Sequence, residues 1–443
     1  MKKLVKNAFV IAAGGVAAKI LGAFYRVPLT NILGADGMGV YQLVFPFYTL
    51  LLTLSATGIP NGIARLTAER NVNALKKSLV LFGSLGAFLS FTMFFGAERI
   101  AAFYGDLRVA AAYKAMSPSV AIVSVVSCLR GYWQGKLNMV PTAASQIVEQ
   151  AFKMLFGLIL CTYFGSDAAE KATFAALAVT ISEFAALVYL LSVKRKKEVY
   201  TDTVSLKEVF KAVAPITLSA TAIPLSRAAD GFFLVGLAGG GAAATATLGI
   251  YGGVVEAIIA LPVSVCYAIS VSGIPLIAGA KKNAAENSTK VIVYTLVLSF
   301  VFALGLFLFS GRIVGVMYPR LSENESALAT GLMKVSSASV VGLSVVQAFS
   351  AVAIAKGKPL VSPICLGTGV AAKMVSAAIL VQKAEIGVYG CAFSDIICYF
   401  VATICFLLYI IRGRKISCKD NIGDATDGYR AWRGKRRRFG QRA

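Results

Sequence analysis

Apolar runs long enough to cross a bilayer recur from one end of this 443-residue chain to the other, and charged residues are set inside them. Lys19, Arg26, Lys153, Arg227, Lys334 and Lys373 each fall within such a run, and Glu149, Glu183, Asp230, Glu256 and Asp395 share the same depth. A charge at the bilayer centre costs about 3 kcal/mol on insertion scales, so these side chains are expected to face a protein interior or a water-filled space. A chain that is 57% hydrophobic has residues enough for a neutral core. The pattern therefore implies a polar, net-cationic chamber within the membrane, suited to an anionic cargo.

Runs of about 20 apolar residues are placed near residues 8–33, 39–63, 77–97, 113–134, 141–164, 173–193, 209–234, 248–275, 290–310, 327–355, 360–382 and 386–411. The first follows Lys2, Lys3 and Lys6 and resembles the start of a signal peptide, but it carries Arg26 and lacks a small-residue cleavage site, so it reads as a membrane span. The expected fold is an all-α polytopic membrane protein of about twelve spans. Its connections are too short to hold a folded domain.

The net charge of +23 is distributed by side. Alternate connections hold Arg65, Arg70, Lys76 and Lys77, then Arg130 and Lys136, then Lys194 to Lys197, then Lys281 and Lys282, then Lys356 and Lys358. The opposite connections carry few cations. Basic residues accumulate on the cytoplasmic side, which puts both termini there and the protein in the cytoplasmic membrane. An even number of spans agrees. The tail from Arg412 onward clusters Arg433, Lys435, Arg436, Arg437 and Arg438 around Trp432, a pattern that binds anionic lipid headgroups; no nucleic-acid partner is expected.

The chain contains no histidine, which excludes a His-ligated metal, a Ser-His-Asp triad and a His proton relay. The eight cysteines show no CxxC pairing and read as small apolar residues, and no phosphate-binding GxxxxGK[ST] loop occurs. No metal, no cofactor and no enzymatic activity are expected.

The two halves repeat. Gly39-Val40-Tyr41 opens the second span and Gly249-Ile250-Tyr251 the eighth; Gly58-Ile59-Pro60 and Gly273-Ile274-Pro275 end them, as points of bending. Gly135-Lys136 with Pro141 precedes the fifth span, and Gly357-Lys358 with Pro363 the eleventh; Ser182-Glu183 in the sixth matches Ser394-Asp395 in the twelfth. Six spans per half make a parallel repeat, in which substrate binds between the halves. The domains are then 1–200 and 201–411, six spans each, with a basic cytoplasmic tail over 412–443.

Lys19 and Arg26 lie seven apart and share one helix face. The planar guanidinium of Arg26 suits an anion that accepts paired hydrogen bonds; interfacial snorkelling is the alternative for both. Glu149 with Lys153 and Arg227 with Asp230 are spaced as pairs within a helix, either structural or open to competition from an anion. Glu256 has no basic neighbour in sequence and is expected to pair across the chamber. Glu183 and Asp395 are candidates for a coupling cation or proton, or for helix-to-helix hydrogen bonds.

Lys19-Ile-Leu-Gly-Ala-Phe-Tyr-Arg26-Val-Pro-Leu, Leu33-Gly-Ala-Asp-Gly-Met-Gly-Val-Tyr-Gln42 and Gly131-Tyr-Trp-Gln-Gly-Lys136 through Gln146-Ile-Val-Glu149-Gln150 resemble the stage V sporulation protein B and polysaccharide transporter family. That family sits in the MOP superfamily beside MurJ-type lipid II flippases and MATE drug antiporters. The resemblance implies a V-shaped pair of six-helix lobes that moves an undecaprenyl-pyrophosphate-linked saccharide by alternating access, as a monomer. It further implies that the face of Lys19 and Arg26 presents cations to the central cavity and that Glu256 matches an acid of the eighth span; Arg227, Asp230, Glu149 and Lys153, read as pairs that an anion can open, complete the candidate substrate surface. MurJ-type proteins have fourteen spans, the last two forming a groove for the lipid tail; twelve are expected here. A MATE-like cation-coupled multidrug exporter is the alternative function, and it would favour a chamber dominated by carboxylates.

Overall fold

The computed structural model describes residues 2–70, 74–194, 204–237, 240–279, 283–358, 360–383 and 385–412. Among them every regular element is helical. The tail beyond Arg412, most of the Lys194–Lys197 linker and the side chain of Lys19 lie outside the described parts.

Helix α1 (Lys2–Leu52) holds the first span and part of the second, divided at Gly34, whose φ of 67° and ψ of −175° leave the helical region. Fifteen residues of straight helix would hold Arg26 and Tyr41 ~22 Å apart. Instead each acts electrostatically on the other, so the chain folds back at Gly34, a conformation that favours glycine. The second span continues through a π-helical stretch, Thr53–Thr57, into α2 (Ile59–Arg70). The first half is completed by α3 (Ala74–Phe95), the short α4 (Ala97–Phe103), α5 (Ala110–Gly135), α6 (Val140–Tyr163) and α7 (Ala168–Ser192).

The seventh span is divided into α8 (Leu206–Ala220) and α9 (Ala222–Gly231). Val209 and Val213 of α8 pack into a cluster with Ile59, Ile63, Phe82 and Leu129 from the first half, whereas α9 carries Asp230 towards the second. The eighth span comprises α10 (Ala242–Leu248), a π-helical stretch Gly249–Val255 and α11 (Glu256–Gly279). Its helix runs unbroken through Gly273-Ile274-Pro275, and the irregular helical stretch of this span sits at Gly249–Val255. Neighbouring helices re-satisfy backbone groups freed by proline in such bundles. Then follow α12 (Ala284–Met317), α13 (Glu323–Ala355), α14 (Val361–Leu380) and α15 (Tyr389–Arg412). Together these make twelve spans in two sets of six.

The repeat holds at the turns. After α5, the Lys136, Leu137 and Asn138 amides donate to Tyr132, Gln134 and Trp133; after α13, Lys356, Gly357 and Lys358 donate to Val352, Ile354 and Ala353 in the same pattern. Lys136 therefore stands where Lys356 does, two residues from the register that the Gly-Lys and Pro matches imply.

The halves meet where the second and eighth spans begin. A Cβ on Gly39 would overlap the Thr245 carbonyl, and one on Gly249 would overlap that of Ala35. Beside this contact, Arg108 grips Asp36 through both terminal nitrogens (2.7 and 2.9 Å) and also binds Asp106, which accepts from Thr245 Oγ1 at 2.8 Å. Thr245 belongs to the second half, so this network ties the halves together.

Candidate functional site

In the first half, Arg130 of α5 spreads its guanidinium over one turn of α6: Nε donates to Ser145 Oγ at 3.0 Å and Nη2 to Glu149 Oε2 at 2.9 Å. The other Glu149 oxygen accepts from Gln150 at 2.9 Å. Both oxygens are thereby satisfied, and the expected Glu149–Lys153 pair does not form. Lys153 makes no ion pair among the described residues, although Glu149, Glu183 and Arg26 are its charged neighbours. Glu183, on α7, is buried, and its Oε2 has no hydrogen-bond partner.

Arg26 sits at the boundary between the halves. Its Nη2 donates to the carbonyl of Gly252 at 2.8 Å, within the π-helical stretch of the eighth span, and its Nε is unpartnered. No carboxylate pairs with it among the described residues.

In the second half, Arg227 and Asp230, three apart on α9, do not pair. Arg227 binds Glu256, whose expected partner across the site is thus found, and Asp230 turns to the buried Lys373 of α14. The Lys373 ammonium lies 2.6 Å from Asp230 Oδ2 and 2.8 Å from Asp395 Oδ1, and Asp395 Oδ2 accepts from the Tyr251 hydroxyl at 2.5 Å. Four helical spans therefore converge on one lysine. A cavity of about 140 Å³ adjoins this cluster, lined by Arg227, Glu256, Tyr251, Asp395 and Tyr399 among others.

The substrate candidates thus divide into three groups. Glu149 and Lys153 lie together in the first half; Arg26 stands between them and the Arg227–Glu256 pair at the cavity, acting on Lys153 and feeling the charges of Glu256 and Arg227; Asp230 belongs to a buried cage with Asp395. Two participants were not among the candidates. Arg130 reads from sequence as a loop cation, and Lys373 as one buried charge with no assigned partner. An unpaired lysine in a span demands carboxylates nearby, which is the signal that points to Asp230 and Asp395. Among the described residues no His, Cys, Asp and Glu cluster could hold a metal ion.

Residues 4–281 match the polysaccharide biosynthesis protein family. An uncharacterized membrane protein of Bacillus subtilis, YabM, is 30% identical over 401 residues, covering 85% of this chain and 75% of its own. Stage V sporulation protein B of Bacillus subtilis is 27% identical over 346 residues, covering 71% of this chain and 66% of its own. Among solved structures, the lipid II flippase MurJ in an inward closed conformation superposes with a TM-score of 0.74 at 13% identity, covering 91% of this chain and 87% of its own. A MATE family multidrug transporter of the MOP superfamily in an inward-facing conformation superposes with a TM-score of 0.73 at 14% identity, covering 90% and 96%. The chain shares the fold of these two transporters.

Proposed function

This chain belongs to the polysaccharide biosynthesis protein family, and from that premise we propose that it carries an undecaprenyl-pyrophosphate-linked saccharide across the cytoplasmic membrane by alternating access. Both termini are cytoplasmic, residues 1–200 and 201–411 form the two moving lobes, and the protein works as a monomer. The observation that carries this reading is that Arg26 and Lys153, on the first-half side of the lobe boundary, form no ion pair with a carboxylate among the described residues. Paired charges are already neutralised; these two remain to meet an anion. A guanidinium with an open Nε and an ammonium beside it suit a pyrophosphate, since charge-assisted hydrogen bonds in a site of low dielectric are the strong ones.

Arg227 with Glu256, and Glu149, form the remainder of the substrate surface, with Lys19 on the face it shares with Arg26. Of the two acids proposed for coupling, Glu183 has the open oxygen, whereas both Asp395 oxygens are engaged. The Asp36, Asp106, Arg108 and Thr245 network closes the outer side, and the cargo enters from the cytoplasm.

The deciding experiment reconstitutes the full chain in liposomes with fluorescent polyprenyl-pyrophosphate glycans. Wild type translocates the probe, and Arg26→Ala and Lys153→Ala lose translocation while inserting normally. Export of cationic dyes with no glycan movement would instead assign the MATE-like activity.

A further inference from the structure

Lys334 takes no part in the charged core described above, yet it lies inside the span formed by α13. It is exposed and makes no ion pair among the described residues. Such a position is costly in hydrocarbon and calls for an anionic neighbour.

Its placement on the helix is decisive. The face of α13 that lines the charged cavity presents Ser336, Ser339 and Leu343. The opposite face presents Ala338, Val341 and Val345 to a second, larger hollow. At ~100° per residue, Lys334 falls within roughly 40° of Ala338, Val341 and Val345 and roughly 140° or more from the cavity face. Lys334 therefore stands at the head of the second hollow, one turn before Ala338.

That hollow is an open groove of about 620 Å³ between α12, α13 and α15. Its walls include Leu296, Phe300, Leu304 and Phe307 of α12 and Phe400 of α15, all exposed at the surface of the bundle. At ~30 Å³ per group, the volume of a liquid water, the groove holds on the order of twenty methylene-sized groups. An apolar trough ending in an unpaired ammonium is complementary to an amphiphile with a long chain and an anionic head.

We propose that this groove is a binding site for an anionic phospholipid, with an acyl chain along α12 and α15 and the phosphate at Lys334. Because Lys334 points away from the charged cavity, the headgroup does not share a site with anything bound at Arg227. The acyl chain packs against Tyr399, which lines both hollows, so the lipid forms part of the cavity's outer wall. Its binding does not depend on which cargo the protein moves.

The test is native mass spectrometry of the purified full chain, titrated separately with phosphatidylglycerol and phosphatidylcholine. Wild type retains phosphatidylglycerol in preference to phosphatidylcholine. Lys334→Gln lowers phosphatidylglycerol retention roughly fivefold, the effect of one cation on an anionic headgroup, and Lys334→Arg preserves it. Ala338→Phe fills the groove at an exposed position and lowers retention of both lipids. Equal retention of the two lipids by wild type, or unchanged retention in Lys334→Gln and Ala338→Phe, overturns the proposal. Displacement of phosphatidylglycerol by polyprenyl phosphate at lower concentration, with transport lost in Ala338→Phe, would assign the groove to the cargo's tail and also overturn it.

Discussion

Lys373 and Asp395 meet at 2.8 Å across the last two spans of the second half, and their counterparts in the first half, Lys153 and Glu183, do not meet. Lys153 is the fourteenth residue of α6 and Lys373 the thirteenth of α14, and each acid lies on the helix that follows. The difference is traceable to neighbours. In the second half Asp230 enters from α9 and Tyr251 from the eighth span, and together they fix the ammonium and the carboxylate. In the first half Arg130 takes Glu149, and among the described residues Lys153 and Glu183 form no ion pair. The second half holds its lysine between two carboxylates and leaves Asp230 Oδ1 unpartnered; the first half leaves both the ammonium and the acid for a ligand or a proton.

The locked cage gives the first prediction. Lys373→Met leaves two buried carboxylates, Asp230 and Asp395, without their cation. Removing one partner of a buried ion pair costs about 3–5 kcal/mol, so the melting temperature in detergent falls sharply. Adding Asp230→Asn and Asp395→Asn to Lys373→Met restores most of the loss, because no stranded charge remains. A single Lys373→Met variant that melts like wild type would show that the cage is not a structural element.

Gly39 and Gly249 give the second. They are corresponding glycines of the two halves, and a Cβ on Gly249 would stand 3.0 Å from Gly39 Cα. Neither carbonyl that a new methyl would strike is the end of a flexible side chain. Gly39→Ala or Gly249→Ala should therefore destabilise the closed contact by about 1–3 kcal/mol, the usual cost of overpacking. Met38, fully buried beside Gly253, supplies the reporter: a cysteine there, in a chain otherwise free of cysteine, becomes reactive to a thiol reagent only in the alanine variants. Unchanged reactivity refutes the prediction.

The Asp106 network predicts a pH dependence. Burial raises the Asp106 carboxyl, but hydrogen bonds from the Arg108 side chain, Thr245 and the Arg108 amide outweigh it and hold the carboxyl below its ordinary value. A depressed folded-state value means that the network's contribution is fully present above the unfolded value, near ~3.9 for aspartate, and is lost as pH falls through the folded one. Melting temperature attributable to Asp106 should therefore be flat from pH 7 to about 4.5 and decline only below that. Asp106→Asn removes this acid-side decline, and an equal decline in the variant would place its origin elsewhere. Thr245→Val, which cuts only the tie between the halves, should cost about 1.5–3 kcal/mol at neutral pH.

Much of this architecture is legible in the sequence. Apolar runs of this length give helical spans because a helix satisfies its own backbone hydrogen bonds in a bilayer, and the paired Gly-x-Tyr and Gly-Ile-Pro tripeptides reveal the repeat. The partners of the charges are not legible in the same way. Spacing of three or four residues identifies only neighbours on one helix, and it suggested Arg227 with Asp230 and Glu149 with Lys153. Membrane bundles pair charges between helices, where the fork of Arg130 outcompetes a lysine for Glu149 and Lys373 reaches two carboxylates from different spans. Glu256, with no basic neighbour in sequence, and Asp395, read for helix-to-helix hydrogen bonds, were the acids whose cross-helix contacts could be anticipated.

That partner, Arg227, supports the last prediction. The Arg227 side chain is 42% exposed and the Glu256 side chain 15%, so the pair lines the cavity instead of being sealed in the core. If the pair is purely structural, Arg227→Gln and Glu256→Gln each destabilise, and the double variant recovers both stability and transport. If an anionic cargo takes Arg227 from Glu256 during the cycle, the double variant recovers stability but not transport. The substrate role proposed for Arg227 requires the second result. A double-mutant cycle scored by melting temperature and by glycan translocation separates the two, because coupling between contacting residues appears as a departure from additivity of 0.5–3 kcal/mol, a general range for such pairs. Full transport by Arg227→Gln/Glu256→Gln would remove Arg227 from the substrate surface and leave Arg26, Lys153 and Lys19 as its cations.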